Sequence, residues 1–125
     1  MIDVGSVAIR AEVLTIDPVN PRSFSVSFAE RQMPKLGHYG PNSTIQNQSL
    51  NLAVESLRTF KSGLSTWNCQ ETLAVGTAVF RQASNCDQAV ALLEKELGQK
   101  IQIISELEEA TLIAEGIMQF EQNLP

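Results

Sequence analysis

The fold of this chain is constrained most by a change of hydrophobic rhythm. Apolar residues that alternate near the start give way to helical spacing broken by short apolar runs. Val7 to Ile16 places Val7, Ile9, Ala11 and Val13 at every second position, as a strand does, and closes on the turn-rich Asp17-Pro18-Val19-Asn20-Pro21. Ser23 to Ala29 alternates strictly, with Phe24, Val26 and Phe28 on one face, and predicts the half-buried partner of an antiparallel hairpin. Gln32 to Ser43, with Pro34, Gly37, Gly40 and Pro41, reads as a loop or a short edge strand.

From Ser49 to Leu64 the apolar positions Leu50, Ala53, Val54, Leu57, Phe60 and Leu64 have helical spacing, with Gly63 as a stop signal. Thr72 to Val75 is short and apolar, as a buried strand is. Asn85 is placed to cap a helix running through Leu97, with Gln88 three residues on and Gly98 as the stop. Ile101, Ile103 and Ile104 predict another strand, and Ser105 begins a last helix. Strands alternating with helices after an opening hairpin favour an α/β layered fold, and no linker or repeat divides the 125 residues, so one domain, 1–125, is expected.

Composition removes several function classes. Net charge is −5 and the pI about 4.8, which argues against a nucleic-acid surface or an anionic membrane surface, since both need clustered Lys and Arg. No apolar run approaches the roughly 18 residues of a membrane span, and no signal peptide is evident, so a cytoplasmic location is expected. Cys69 and Cys86 lack CxxC spacing and His partners, and read as free thiols, a disulfide being the weaker alternative. An anionic substrate is left only with a local site.

Four motifs could build one. Ile2-Asp3-Val4-Gly5-Ser6 puts an acid at the end of a strand before a Gly-Ser turn, where backbone N–H groups can approach phosphate oxygens; an ordinary strand-to-turn has the same pattern. Lys35-Leu36-Gly37-His38-Tyr39-Gly40 offers a loop His: a proton shuttle, a phosphate contact or simply a solvated side chain. Gly76-Thr77-Ala78-Val79-Phe80-Arg81 offers a hydroxyl and a guanidinium, the latter suited to phosphate oxygens or to a salt bridge with an acid such as Asp87. In Ser105-Glu106-Leu107-Glu108-Glu109-Ala110-Thr111, Ser105 and Glu108 form a capping box and the three acids complement the helix dipole. Glu109 is the acid whose identity the cap does not require.

With these spacings the chain, from Ile2 to Ile117, resembles the N-terminal part of the exopolyphosphatase and guanosine pentaphosphate phosphatase (Ppx/GppA) family. The resemblance implies a ribonuclease H-like lobe of the actin-like ATPase superfamily, a mixed α/β sheet with antiparallel opening strands and flanking helices. It implies hydrolysis of terminal phosphoanhydride bonds in polyphosphate or pppGpp. Glu109 is then the catalytic general base; Asp3, Gly5, Ser6, Thr77 and Arg81 contact phosphate; and Asp3 is where a Mg²⁺ ion is allowed. The family's second lobe carries a further phosphate loop that this chain does not reach, so the chain alone is expected to be a poor catalyst, with a homo-oligomer allowed.

The chain also departs from the family's pattern. Val7-Ala8 stands where relatives have Asn-Ser, His38 replaces an acid, Ala78 replaces a hydroxyl, Glu106 replaces a Gly and Thr111 replaces an Arg. The last two shift the local charge by about two units toward repelling an anion, each worth roughly 3–4 kcal/mol before screening if it faces the cleft. A catalytically degenerate relative acting as a binding or assembly domain is therefore the second expectation.

Overall fold

A computed structural model describes residues 1–122, with side chains up to residue 115; the end of the second signature, at Ile117, lies outside the residues whose side chains are described. Strands β1 (Ile2–Val4), β2 (Ile9–Ile16) and β3 (Phe24–Gln32) come first, followed by helix α1 (Asn47–Leu64). Then come β4 (Ala74–Gly76), the short α2 (Ala78–Gln82), α3 (Cys86–Leu97), β5 (Gln102–Ile103) and α4 (Glu106–Gln122). The strands form one sheet in the order β3-β2-β1-β4-β5. β1 pairs antiparallel with β2 and β2 with β3, whereas β1–β4 and β4–β5 are parallel. The antiparallel opening and parallel continuation are those expected.

The core lies between the sheet and α1 and α3. Ile2, Val4, Ile9 and Ala11 from the sheet meet Ala53, Leu57 and Phe60 of α1, with Ala89 and Leu93 of α3 in the same cluster. The two helices are also tied at their surface, where Arg58 Nε donates to Glu96 Oε1 at 2.8 Å and Lys61 Nζ to the Glu96 carbonyl at 3.0 Å. Gly98, at φ +79°, ends α3 in the left-handed conformation that a Cβ would oppose, and its N–H donates to the Glu94 carbonyl.

Several boundaries differ from the expected ones for identifiable reasons. Val7 and Ala8 belong to a turn closed by Gly5 N–H to the Ala8 carbonyl at 3.0 Å, so the strand expected from Val7 starts at Ile9. The alternating face of Ser23–Ala29 is split by an irregularity in the β2–β3 register between Val13 and Leu14. Phe28, opposite Val13, is half-buried and lies with its ring centroid 6.5 Å from that of Trp67, while Val26 and Phe24, opposite Leu14 and Ile16, are exposed. α1 ends at Leu64, one residue past Gly63, as expected, and a Cβ on Gly63 would lie 3.0 Å from Phe28 Cζ, so its small size also serves helix–sheet approach. Asn85 occupies the cap position of α3 without capping it, because its side chain is bound elsewhere. The residues after Thr77, Ala78–Gln82, form a short helix.

Candidate phosphate-handling site

The candidate residues come from turns that leave the parallel strands. β1 ends into the turn Gly5–Ala8, β4 into Thr77, and β5 into Ser105 and α4. These are the carboxyl ends of the parallel strands, where open α/β sheets offer crevices for ligands. Backbone bonds lock the turns together: Thr77 N–H donates to the Val4 carbonyl at 3.3 Å, and Ile104 N–H to the Gly76 carbonyl at 3.1 Å. A Cβ on Gly5 would stand 4.0 Å from Thr77 Oγ1 and 3.1 Å from the Ala8 carbonyl oxygen, so the Gly5 backbone and the Thr77 hydroxyl border the same space.

The loop carrying His38 folds onto this turn. Lys35 N–H donates to the Val7 carbonyl at 3.1 Å and Gly37 N–H to the Ser6 carbonyl at 2.8 Å. A Cβ on Gly37 would be 2.9 Å from Ser6 Cβ, which requires the bare backbone there. Tyr39 Oη donates to the Val79 carbonyl of α2 at 3.2 Å, and His38 itself is exposed.

Asp3 lies on β1, opposite Arg10 on β2 and Val75 on β4. Burial pushes its carboxyl above the ordinary value of 3.8; the Arg10 charge opposes the shift, and the charges of Glu109 and Glu12 add to it. Its Oδ1 is buried with no hydrogen-bond partner among the described residues. An orphaned buried carboxylate oxygen beside further acids holds its charge at an energetic disadvantage unless a cation or proton arrives.

Glu109 sits in the first turn of α4. The turn is capped as expected on one side, with Glu108 N–H donating to Ser105 Oγ at 3.0 Å. On the other, the Ser105 hydroxyl donates to Glu108 Oε1 at 3.3 Å, so Glu108 meets the Ser side chain rather than its amide. Glu109 is left free of capping, and its Oε2 accepts from Arg81 Nη2 at 2.8 Å, with side-chain exposures of 34% and 20% for the Glu and the Arg. Arg81 Nη1 donates to the Ile104 carbonyl at 2.7 Å. The acid paired with Arg81 is Glu109, not Asp87.

Asp3, Gly5, Ser6, Thr77, Arg81 and Glu109, far apart in sequence, thus come from neighbouring strand ends. Glu106 and Thr111 are both exposed, and Thr111 Oγ1 donates to the Leu107 carbonyl at 2.8 Å. Arg10 and Glu12, which set the charge around Asp3, escaped the sequence reading, since only the β1–β2 register brings them near. Among the described residues no cluster of three or more His, Cys, Asp or Glu is arranged to hold a metal ion by itself. No helix among them is long and apolar enough to cross a membrane.

A sheet that opens antiparallel and continues parallel, with helices flanking it, has the fold of the ribonuclease H-like lobes of actin-like ATPases. The Ppx/GppA phosphatase family model matches residues 6–123, and the chain belongs to that family. It is 28% identical over 116 residues to the guanosine-5'-triphosphate,3'-diphosphate pyrophosphatases of Aeromonas hydrophila and Aeromonas salmonicida, a match covering 93% of this chain and 23% of theirs. Among solved structures, an exopolyphosphatase from Cytophaga hutchinsonii superposes with a TM-score of 0.84 at 24% identity, over 94% of this chain and 37% of that one. The Aquifex aeolicus Ppx/GppA family member gives 0.77 at 20%, over 86% and 35%. The chain therefore spans only a minor part of the length of these relatives.

Proposed function

We propose that this chain forms the base-bearing lobe of a phosphatase that removes terminal phosphate from inorganic polyphosphate or pppGpp. The observation that carries the reading is the position of Glu109, in the first turn of α4 at the sheet edge that holds the Gly5–Ser6 and Thr77 turns, and close enough to Asp3 to raise its pKa. Glu109 takes a proton from a water; the water oxygen bonds to the terminal phosphorus as the bridging P–O bond breaks, and the shortened chain leaves with the bridging oxygen. The Gly5 and Ser6 turn and the Thr77 hydroxyl contact phosphate oxygens, with a second lobe completing the cleft.

Mg²⁺ typically keeps several waters and binds through one or two carboxylates together with substrate phosphates. A single acid with an orphaned oxygen, as at Asp3, suits that mode, and the ion would supply neutralisation of phosphate charge. The test is phosphate release by the complete gene product, with polyphosphate and pppGpp supplied separately. E109Q should abolish release from the preferred substrate while melting as the unaltered protein does; full activity in E109Q sinks the assignment.

One feature favours the degenerate alternative: Glu106 places an extra acid at the head of the base-bearing helix. Calorimetric titration with polyphosphate separates the two readings, since tight Mg²⁺-dependent binding counts against a lobe kept only for assembly.

A further inference from the structure

Arg81 is tied to two protein acceptors at once. Its two terminal nitrogens go to different protein acceptors, Nη1 to the Ile104 carbonyl at 2.7 Å and Nη2 to Glu109 Oε2 at 2.8 Å. Its Nε is buried and unpartnered among the described residues. Arginines that clamp phosphate present adjacent N–H groups as an open fork. Here two of the five N–H donors are spent on protein acceptors, one of them a neutral backbone oxygen just past β5. That carbonyl belongs to a residue whose own N–H is fixed to Gly76 of β4, so the guanidinium is anchored to the sheet.

The anchoring has a consequence for the acid. Glu109 is fixed to the sheet through Oε2, and its Oε1 makes no hydrogen bond among the described residues. We infer that Arg81 is a positioning residue: it holds Glu109 through Oε2 and the sheet edge through Ile104, so that Oε1 alone points to the attacking water. The inference rests on the phosphatase reading above and departs from what the sequence resemblance implies for Arg81, moving it from phosphate contact to base orientation. A general base works only within hydrogen-bond reach of its proton, and a misplacement near 1 Å is worth about 100-fold in rate.

The experiment is steady-state hydrolysis of polyphosphate by the complete gene product carrying R81Q, R81K or E109Q. A positioning role predicts that R81Q lowers kcat about 100-fold with KM within roughly threefold of the unaltered value. R81K, whose ammonium can still reach one of the two acceptors, should recover part of kcat at the same KM. Because R81Q could weaken the fold, its melting curve is recorded alongside, and R81K carries the test if R81Q melts early. A rise in KM at unchanged kcat in either variant assigns Arg81 to phosphate and overturns the inference. Turnover by R81Q equal to the unaltered protein, with E109Q inactive, overturns the inference but leaves the phosphatase reading standing. An active E109Q, or no hydrolysis by the unaltered protein, removes both.

Discussion

Asn85 and Ile45 exchange two hydrogen bonds, Ile45 N–H to Asn85 Oδ1 at 2.8 Å and Asn85 Nδ2 to the Ile45 carbonyl at 3.1 Å. An amide side chain here replaces a strand neighbour for a backbone segment that has none. The clasp is extended by Ser84, whose N–H donates to the Ser43 carbonyl and whose hydroxyl donates to the Asn42 carbonyl. The segment before α1 is thereby fastened to the junction of α2 and α3. N85A leaves the N–H and carbonyl of the buried Ile45 unpaired and should lower stability by about 1–3 kcal/mol. N85D keeps the acceptor and loses the donor, and should fall between, as urea unfolding midpoints would show.

Gly76 is held to its size by contact rather than conformation. A Cβ there would lie 2.6 Å from Phe80 Cδ2 and 2.8 Å from Ile103 Cδ1, closer than packed carbons approach. G76A should cost about 1–3 kcal/mol, read as a fall in Tm of roughly 4 °C per kcal/mol. Adding F80L should return part of the loss, because the added methyl and the ring compete for one space. Additive losses in the double variant would mean that Phe80 is not what opposes the methyl.

These two contacts mark how far the sequence could be read. Alternation predicts β2 and β3 and helical spacing predicts α1, because burial on one face leaves a periodic trace, whereas β4 and β5 are read from short apolar runs and α3 and α4 from the residues at their ends. Gly98 and Ser105 are read correctly as a stop and a cap, since both act within a few residues of themselves. Asn85 is misread for the opposite reason: it looks like a local helix signal, yet its side chain serves a partner elsewhere, Ile45. The candidate site divides in the same way. Glu109 emerges from the resemblance of its motif to that of the family, with capping accounting for Glu108 and not for it, whereas the Arg81–Glu109 pair and the surroundings of Asp3 depend on which strand ends adjoin.

Glu106 and Thr111, the two departures that oppose an anion, are exposed to water. Solvent therefore reduces the several kcal/mol that each charge change would carry in a closed cleft to about 0–1 kcal/mol. The pair E106G and T111R, restoring the family's residues, should tighten polyphosphate binding only about three- to tenfold, with most of the gain lost at high salt. A gain of a thousandfold by calorimetry would mean that both side chains are drawn into a desolvated cleft when ligand is bound.

Asp3 should weaken the fold in a pH-dependent way. Its carboxyl titrates above the ordinary 3.8 in the folded protein, first because burial disfavours the charge and then because Glu109 and Glu12 repel it, with Arg10 opposing. The folded state therefore binds this proton more tightly than the unfolded chain does. The stability that proton contributes is complete below the unfolded pKa and is lost as pH rises through the folded one. Above the unfolded pKa the buried carboxyl is a net burden, so D3N should melt above the unaltered protein at pH 7, and the difference should shrink as pH falls toward the unfolded value. The same substitution removes the carboxylate that would hold Mg²⁺, so phosphate release should fall while Tm rises, a trade of stability for function. Thermal melts of both proteins at pH 3 to 8 decide the first point: a D3N curve at or below that of the unaltered protein at pH 7 would show that Arg10 compensates the buried charge in full.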